Sequence, residues 1–250
     1  MTMGRADIHT HTNLTDGMMD VRALLEHVQE HTDLDVLAVT DHDDLTAGLL
    51  ARELVEQNGY RFQVVIGAEI TTLEGHLLGL FLERAVAQLQ SLEATLKAVH
   101  EQDGLAIVPH PMSWLTFSLG ERAFQRVQGS SEPGVYLDGV ETANPTVAGK
   151  VTQEKVRRLN SQQYHLAEVG GSDAHFLAAV ASGVTRFPGK TAEDLRQAIL
   201  GSKTEAEAGE ISLRDIGYTE LVKQQVRSLV VHPTRIVSRP LLRFLRGTQA

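Results

Sequence analysis

A chain of 250 residues with no cysteine can build neither a disulfide framework nor a thiolate metal site, so any metal must be held by imidazole and carboxylate. A formal charge of −9 argues against a broad non-specific nucleic-acid surface, and no run approaches the roughly 18 apolar residues that a membrane span needs. The opening residues Met1 to Ile8 lack a basic-then-apolar leader pattern, so a cytoplasmic protein is expected.

In chain order, apolar runs predict strands at 5–9, 36–41, 63–69, 76–82, 105–110, 138–143 and 166–172. Helical patterns fall between them at 21–31, 45–57, 85–102, 121–128 and 147–161, with a later one at 192–200 that opens on a Thr191-Ala-Glu-Asp194 capping pattern. This alternation implies repeated βα units and an α/β fold. Glu69 and His76 stand too close for a crossover helix, so a hairpin through Glu74-Gly75 is expected there. A distorted, TIM-like (β/α)7 barrel fits better than eight strict repeats. Residues 112–136, carrying Trp114, Phe117 and Phe124, read as an excursion over the barrel mouth. The expected organisation is a barrel over 1–209 and a basic helical tail over 210–250. In the tail Lys223, Arg227, Arg235, Arg239, Arg243 and Arg246 alternate with Leu and Val. It reads either as a helix pair packed on the exterior or as a segment touching anionic lipid or a partner.

The ionisable residues gather where the apolar runs stop, and side chains at one end of parallel strands converge on a single site. His9 and His11 are two residues apart on a strand and so share a face. Asp16-Gly17 is a turn that can bring a carboxylate back over that strand end. Asp41, His42 and Asp43 follow a buried run, and a polar cluster there needs partners or a metal. Asp41 is read as an outer carboxylate that accepts from a ligating imidazole, and Asp44 as a helix cap. Glu69 ends another run, where bridging two metals would satisfy it. His76 lies across the hairpin, His110 is fixed between Pro109 and Pro111, and Asp173 and His175 follow a Gly-Gly-Ser stretch. His27, His31, His100, His165 and His232 are read as surface or core residues. There is no Gly-x-Ser-x-Gly elbow, Walker loop or Gly-x-Gly-x-x-Gly motif.

The ordered set His9-x-His11, Asp16-Gly17, Thr40-Asp41-His42-Asp43, Gly67-x-Glu69, Gly75-His76, His110-Pro111 and Gly171-Ser-Asp173-Ala-His175 resembles the PHP (polymerase and histidinol phosphatase) family over residues 5–201. The resemblance implies a distorted barrel with two or three divalent ions, Zn, Mn or Fe, at the strands' C-terminal mouth. By the family pattern His9, His11, Glu69 and Asp173 hold one ion and form the catalytic set. Glu69, His76 and His110 hold a second, and Asp16, His42 and His175 a third, with Asp16 where some relatives carry histidine. Asn144 matches a strand-end asparagine expected to line the pocket. The expected activity is hydrolysis of a phosphomonoester, on a nucleotide or small metabolite, by a metal-bridging hydroxide. A short-oligonucleotide exonuclease and a non-catalytic metal-binding regulator are the alternatives. No stable nucleic-acid complex is expected.

Overall fold

The computed structural model describes residues 2–209 and 216–231. Nine strands form one sheet: β1 Met3–Asp7, β2 Val36–Val39, β3 Gln63–Thr71, β4 His76–Leu80, β5 Leu105–Val108, β6 Gly139–Ala143, β7 Ala167–Gly170, β8 Gly183–Pro188 and β9 Glu205–Ala208. Their order is β7-β6-β5-β4-β3-β2-β1-β8-β9. β1, β2 and β3 pair in parallel, as do β5, β6 and β7, while β4 runs antiparallel to both its neighbours through the expected hairpin. The two ends of the sheet meet. Thr185 Oγ1 on β8 accepts from Gly170 N at 3.0 Å and donates to Gly170 O at 2.8 Å, and Thr204 Oγ1 donates to Glu168 O at 2.7 Å. A Cβ on Gly170 would lie 2.3 Å from Val184 O, so glycine is what allows this approach and the nearly closed barrel.

The sequence predicts seven of the nine strands. β9 (Glu-Ala-Glu-Ala) escapes because an exposed edge strand of that composition carries no apolar run. β8 runs antiparallel to β1 and completes the ring outside the βα rhythm.

Side-chain alternation divides the core. On β2, Val36 and Ala38 join Ala6, Ile8, Leu78, Ile107 and Phe187 inside the barrel, whereas Leu37 and Val39 face outward onto α1 Val21–His31 and α2 Thr46–Asn58. The inner core also contains Leu195, Ala198 and Ile199 of α7 Ala192–Leu200. Ala192 N donates to Gln63 at the start of β3, so α7 closes the barrel at the strands' N-terminal end and leaves the opposite end open. The predicted capping box at Thr191 and Asp194 is present.

Two helices differ from expectation. The 85–102 helix is shortened to α3 Leu92–His100 because Ser91 caps it, its hydroxyl accepting from Ala94 N. The 147–161 helix breaks into α5 Val147–Lys150 and α6 Gln153–Leu159, followed by a wider turn, Asn160–Tyr164. α4 Glu121–Gln128 matches, but its Phe124 is buried in the outer core rather than placed at the mouth. Of the tail, α8 Tyr218–Val226 is described and contains Lys223. Arg227 follows it and donates to Asn13 O at 2.6 Å, which brings the tail's start against the loop after β1. Arg235, Arg239, Arg243, Arg246 and His232 lie outside the described residues. Among those described, no helix is long and apolar enough to cross a membrane.

Candidate metal centre

The open end of the barrel collects all nine predicted ligands. His9 and His11 extend the line of β1 and are fully buried, with Thr10 between them turned outward to donate to Ala38 O. The chain then folds back over the strand end. Asp41 holds this loop, accepting from Thr12 N (2.7 Å), Thr12 Oγ1 (2.5 Å) and Thr15 Oγ1 (2.5 Å). A Cβ on Gly17 would meet His11 O at 2.3 Å, so the fold-back requires glycine. The loop delivers Asp16, whose Oδ2 lies 3.1 Å from His175 Nε2 and 3.6 Å from His42 Nε2.

Glu69 is the centre of the array. Its Oε1 lies 2.8 Å from His76 Nδ1 and 2.9 Å from His110 Nε2. Its Oε2 lies 3.3 Å from His11 Nε2, 3.3 Å from His42 Nδ1 and 3.5 Å from His9 Nε2. Asp173 Oδ1 faces His11 Nε2 at 3.4 Å, His9 Nε2 at 3.5 Å and His175 Nδ1 at 3.6 Å. Donor atoms gather in four overlapping sets: His9, His11 and Asp173; His9, Glu69 and His110; His42, Glu69 and His76; and His11, Asp16, His42 and His175. The third-ion set thus gains His11, and Glu69 reaches His42 as well as the histidines assigned to it.

Whether these residues fit divalent ions can be decided from their protons. His9 Nδ1 faces Glu141 Oε1 at 3.1 Å, His175 Nδ1 faces Asp173 O at 2.9 Å, and His110 Nδ1 faces Ser118 Oγ at 2.9 Å, that hydroxyl in turn donating to His110 O. Each ring therefore keeps a proton on Nδ1, so its Nε2, which faces a carboxylate oxygen, must either carry a second proton or bind a metal ion. Lone pair against carboxylate repels unless a cation lies between them. His9 Nε2, both nitrogens of His11 and Asp16 Oδ1 are buried without hydrogen-bond partners. Two ligands bound at about 2.0–2.1 Å to one tetrahedral ion stand roughly 3.3 Å apart, and the separations here bracket that value. The donor set fits divalent metal.

The electrostatics agree. Burial works to lower His42 and His175, yet Glu69 and Asp16 raise His42 to about 10, and Asp16 raises His175 to about 9. Glu69 is held well below the usual carboxylate range, against its burial, by His76, His42 and His9. Asp16 is held low in the same way by His175 and His42. His11 goes the other way, lowered by burial and by the flanking His175 and His42, so it is a neutral imidazole ready to ligate.

Two expectations need correction. Among the described residues the hydrogen bonds of Asp41 go to Thr12 and Thr15 rather than to an imidazole, so it secures the 12–17 loop instead. Asn144 does not line the pocket, because it is buried behind Glu141, donating to Glu141 Oε2 at 2.8 Å and accepting from Thr146. Glu141 is the carboxylate on His9 that the sequence reading assigned to no role. The available signal was a glutamate inside an otherwise buried strand. Asp7 was missed as well. Fully buried, it accepts from Ser172 N (3.0 Å) and Ala181 N (2.9 Å), joining β1 to the segment that carries Asp173. Burial pushes its carboxyl up to about 6.

Fold and site together define a barrel-mouth, histidine and carboxylate metal-centre protein. A family model described as PHP-associated matches residues 155–204. The uncharacterized protein MJ1587 of Methanocaldococcus jannaschii is 35% identical over 151 residues, 56% of this chain and 81% of that protein. The chain belongs to the PHP family. The 5′-3′ exoribonuclease Rnm of Salmonella typhimurium is 34% identical over 83 residues, 32% of this chain and 28% of its own. In structure, the chain is similar to a two-domain Bacteroides vulgatus protein described as containing a PHP-like metal-dependent phosphoesterase, with TM-score 0.65 and 20% identity, covering 83% of this chain and 65% of that one. At that identity the likeness shows the shared barrel.

Proposed function

We propose that this protein is a metal-dependent phosphoesterase that removes a terminal phosphoryl group from a nucleotide or small metabolite. The observation that carries the reading is Glu69, a buried carboxylate whose two oxygens face separate histidine groups, as a ligand shared between ions would. His9, His11, Glu69 and Asp173 would hold one ion, Glu69, His76 and His110 a second, and Asp16, His42 and His175 a third, with Zn, Mn or Fe suited to these donors. Bound there, divalent ions lower the pKa of water and neutralise phosphoryl oxygens. The protein's own part is positional. Asp16, Glu69 and Asp173 stay ionised although buried, His11 stays neutral, and Ser118 holds the proton of His110 away from the ions. Because the donors are recessed, a chain end reaches them more readily than the middle of a polymer. Monoester hydrolysis is therefore the first reading.

A second reading, removal of terminal residues from a short oligonucleotide, is favoured by the loop after His110. It leaves Trp114 77% and Phe117 46% exposed beside the mouth, and the Phe117 ring stands edge-on to His76 at 5.6 Å. Exposed aromatics are the stacking surfaces that single strands use, and the sequence match to an exoribonuclease points the same way. A screen with Mn²⁺ or Zn²⁺ that follows phosphate release from nucleotides, bisphosphates and sugar phosphates, and mononucleotide release from short oligonucleotides, separates the two. Release from monoesters with oligonucleotides left intact supports the first reading; shortening of oligonucleotides supports the second. No release from any of them overturns both.

A further inference from the structure

We infer that Glu141 is the positioning residue of the centre, setting the orientation of His9 by its side chain and of His110 by its backbone while touching no ion itself. The inference rests on the metal-centre reading above and goes beyond it. β6 carries Val140 outward into the outer core, so period-two alternation turns Glu141 inward, and a register shift against β7 between Glu141 and Ala143 marks the spot. Its carboxylate is buried and fully engaged. Oε1 accepts from His9 Nδ1 at 3.1 Å, and Oε2 accepts from His110 N at 2.7 Å and Asn144 Nδ2 at 2.8 Å.

Each bond has a separate consequence. The first keeps the His9 proton on Nδ1 and leaves Nε2 facing Glu69 and Asp173. The second holds a strained backbone. His110 has φ +29°, an unfavourable value for a residue with a side chain, and the following Pro111 restricts it further. The His110 N–H bond to Glu141 offsets that strain where the ring must reach Glu69 Oε1. Gly171 completes the arrangement: a Cβ there would lie 2.6 Å from both Glu141 Oε1 and His9 Cβ. One carboxylate thus fixes ligands of two ion positions, contributed by β1 and by the segment after β5.

The test is zinc uptake by chelator-stripped full-length protein, titrated against a chromogenic competitor, for wild type, Glu141→Gln and Asn144→Ala. Glu141→Gln keeps the volume but removes the charge and one acceptor, and it should weaken zinc binding by about 10–100-fold. Asn144→Ala, which spares both histidine bonds, should stay within a few-fold of wild type. A Glu141→Gln protein that melts earlier yet binds zinc as wild type does would show a merely structural role and overturn the inference. No uptake by wild type would overturn the metal centre and this inference with it, whereas uptake equal in wild type and Glu141→Gln overturns this inference alone. Should Glu141→Gln fail to fold, the wild type decides. In zinc-loaded, ¹⁵N-labelled protein the His9 proton is expected on Nδ1, and a proton found on Nε2 overturns the assignment.

Discussion

Five imidazoles lie within 3.5 Å of the two oxygens of Glu69, and no other side chain of the centre is shared so widely. Glu69→Ala should therefore lower both metal content and hydrolysis, activity falling on the order of a hundredfold or more because two ion positions lose a ligand at once. Retained activity at unchanged metal content would contradict the bridging role. The raised histidines also set a pH dependence. With folded values of about 10 for His42 and about 9 for His175, above an ordinary value of 6.5, their ion pairs stabilise the metal-free protein fully below about pH 6.5. That stability declines as pH rises and is lost through pH 9–10. Metal binding needs the same rings deprotonated, so the apparent affinity for zinc should rise over that range. Melting the chelated and zinc-loaded proteins at pH 7 and 9.5 should show a falling midpoint in the first and a widening gap between the two. A chelated midpoint that climbs with pH would count against the assignment. At this scale the sequence was informative because a ligand at the end of an apolar run is visible in one dimension. Glu141 and Asp7 act through partners far away in the chain, and no spacing reveals them.

Among the elements, the loop between β1 and α1 shows how a support can pass for a ligand neighbour. Asp41 sits beside His42 in sequence but spends its oxygens on Thr12 and Thr15, thereby placing Asp16. Asp41→Asn should cost about 1–3 kcal/mol, since three buried hydrogen bonds to a charged carboxylate are weakened or must be rearranged. It should weaken the Asp16, His42 and His175 position while leaving the His9 and His11 position filled. Calorimetric zinc titration checks this, and equal weakening of every site would argue for general unfolding instead. The β3–β4 hairpin could be read in advance because too few residues separate Glu69 from His76 for any helix. The closing strands could not. β8 runs against its neighbour β1, and β9 has the composition of a surface loop.

At the scale of the whole molecule, each part answers to the division between a closed end and an open one. α7 seals the strands' N-terminal end with Leu195, Ala198 and Ile199, and the apolar layer above it gives way to histidine and carboxylate at the mouth. A buried cluster with this many opposed acceptors is stable only with cations in it, and protons or metal ions can fill that part. The central claim is that divalent ions do so, and that they are what makes the site hydrolytic. Elemental analysis of the purified full-length protein, paired with phosphate release before chelation, after chelation and after adding back Mn²⁺ or Zn²⁺, tests this most directly. The account predicts two or three ions per chain, with activity lost on their removal and restored on their return. One ion or none, or hydrolysis indifferent to chelation, would contradict it.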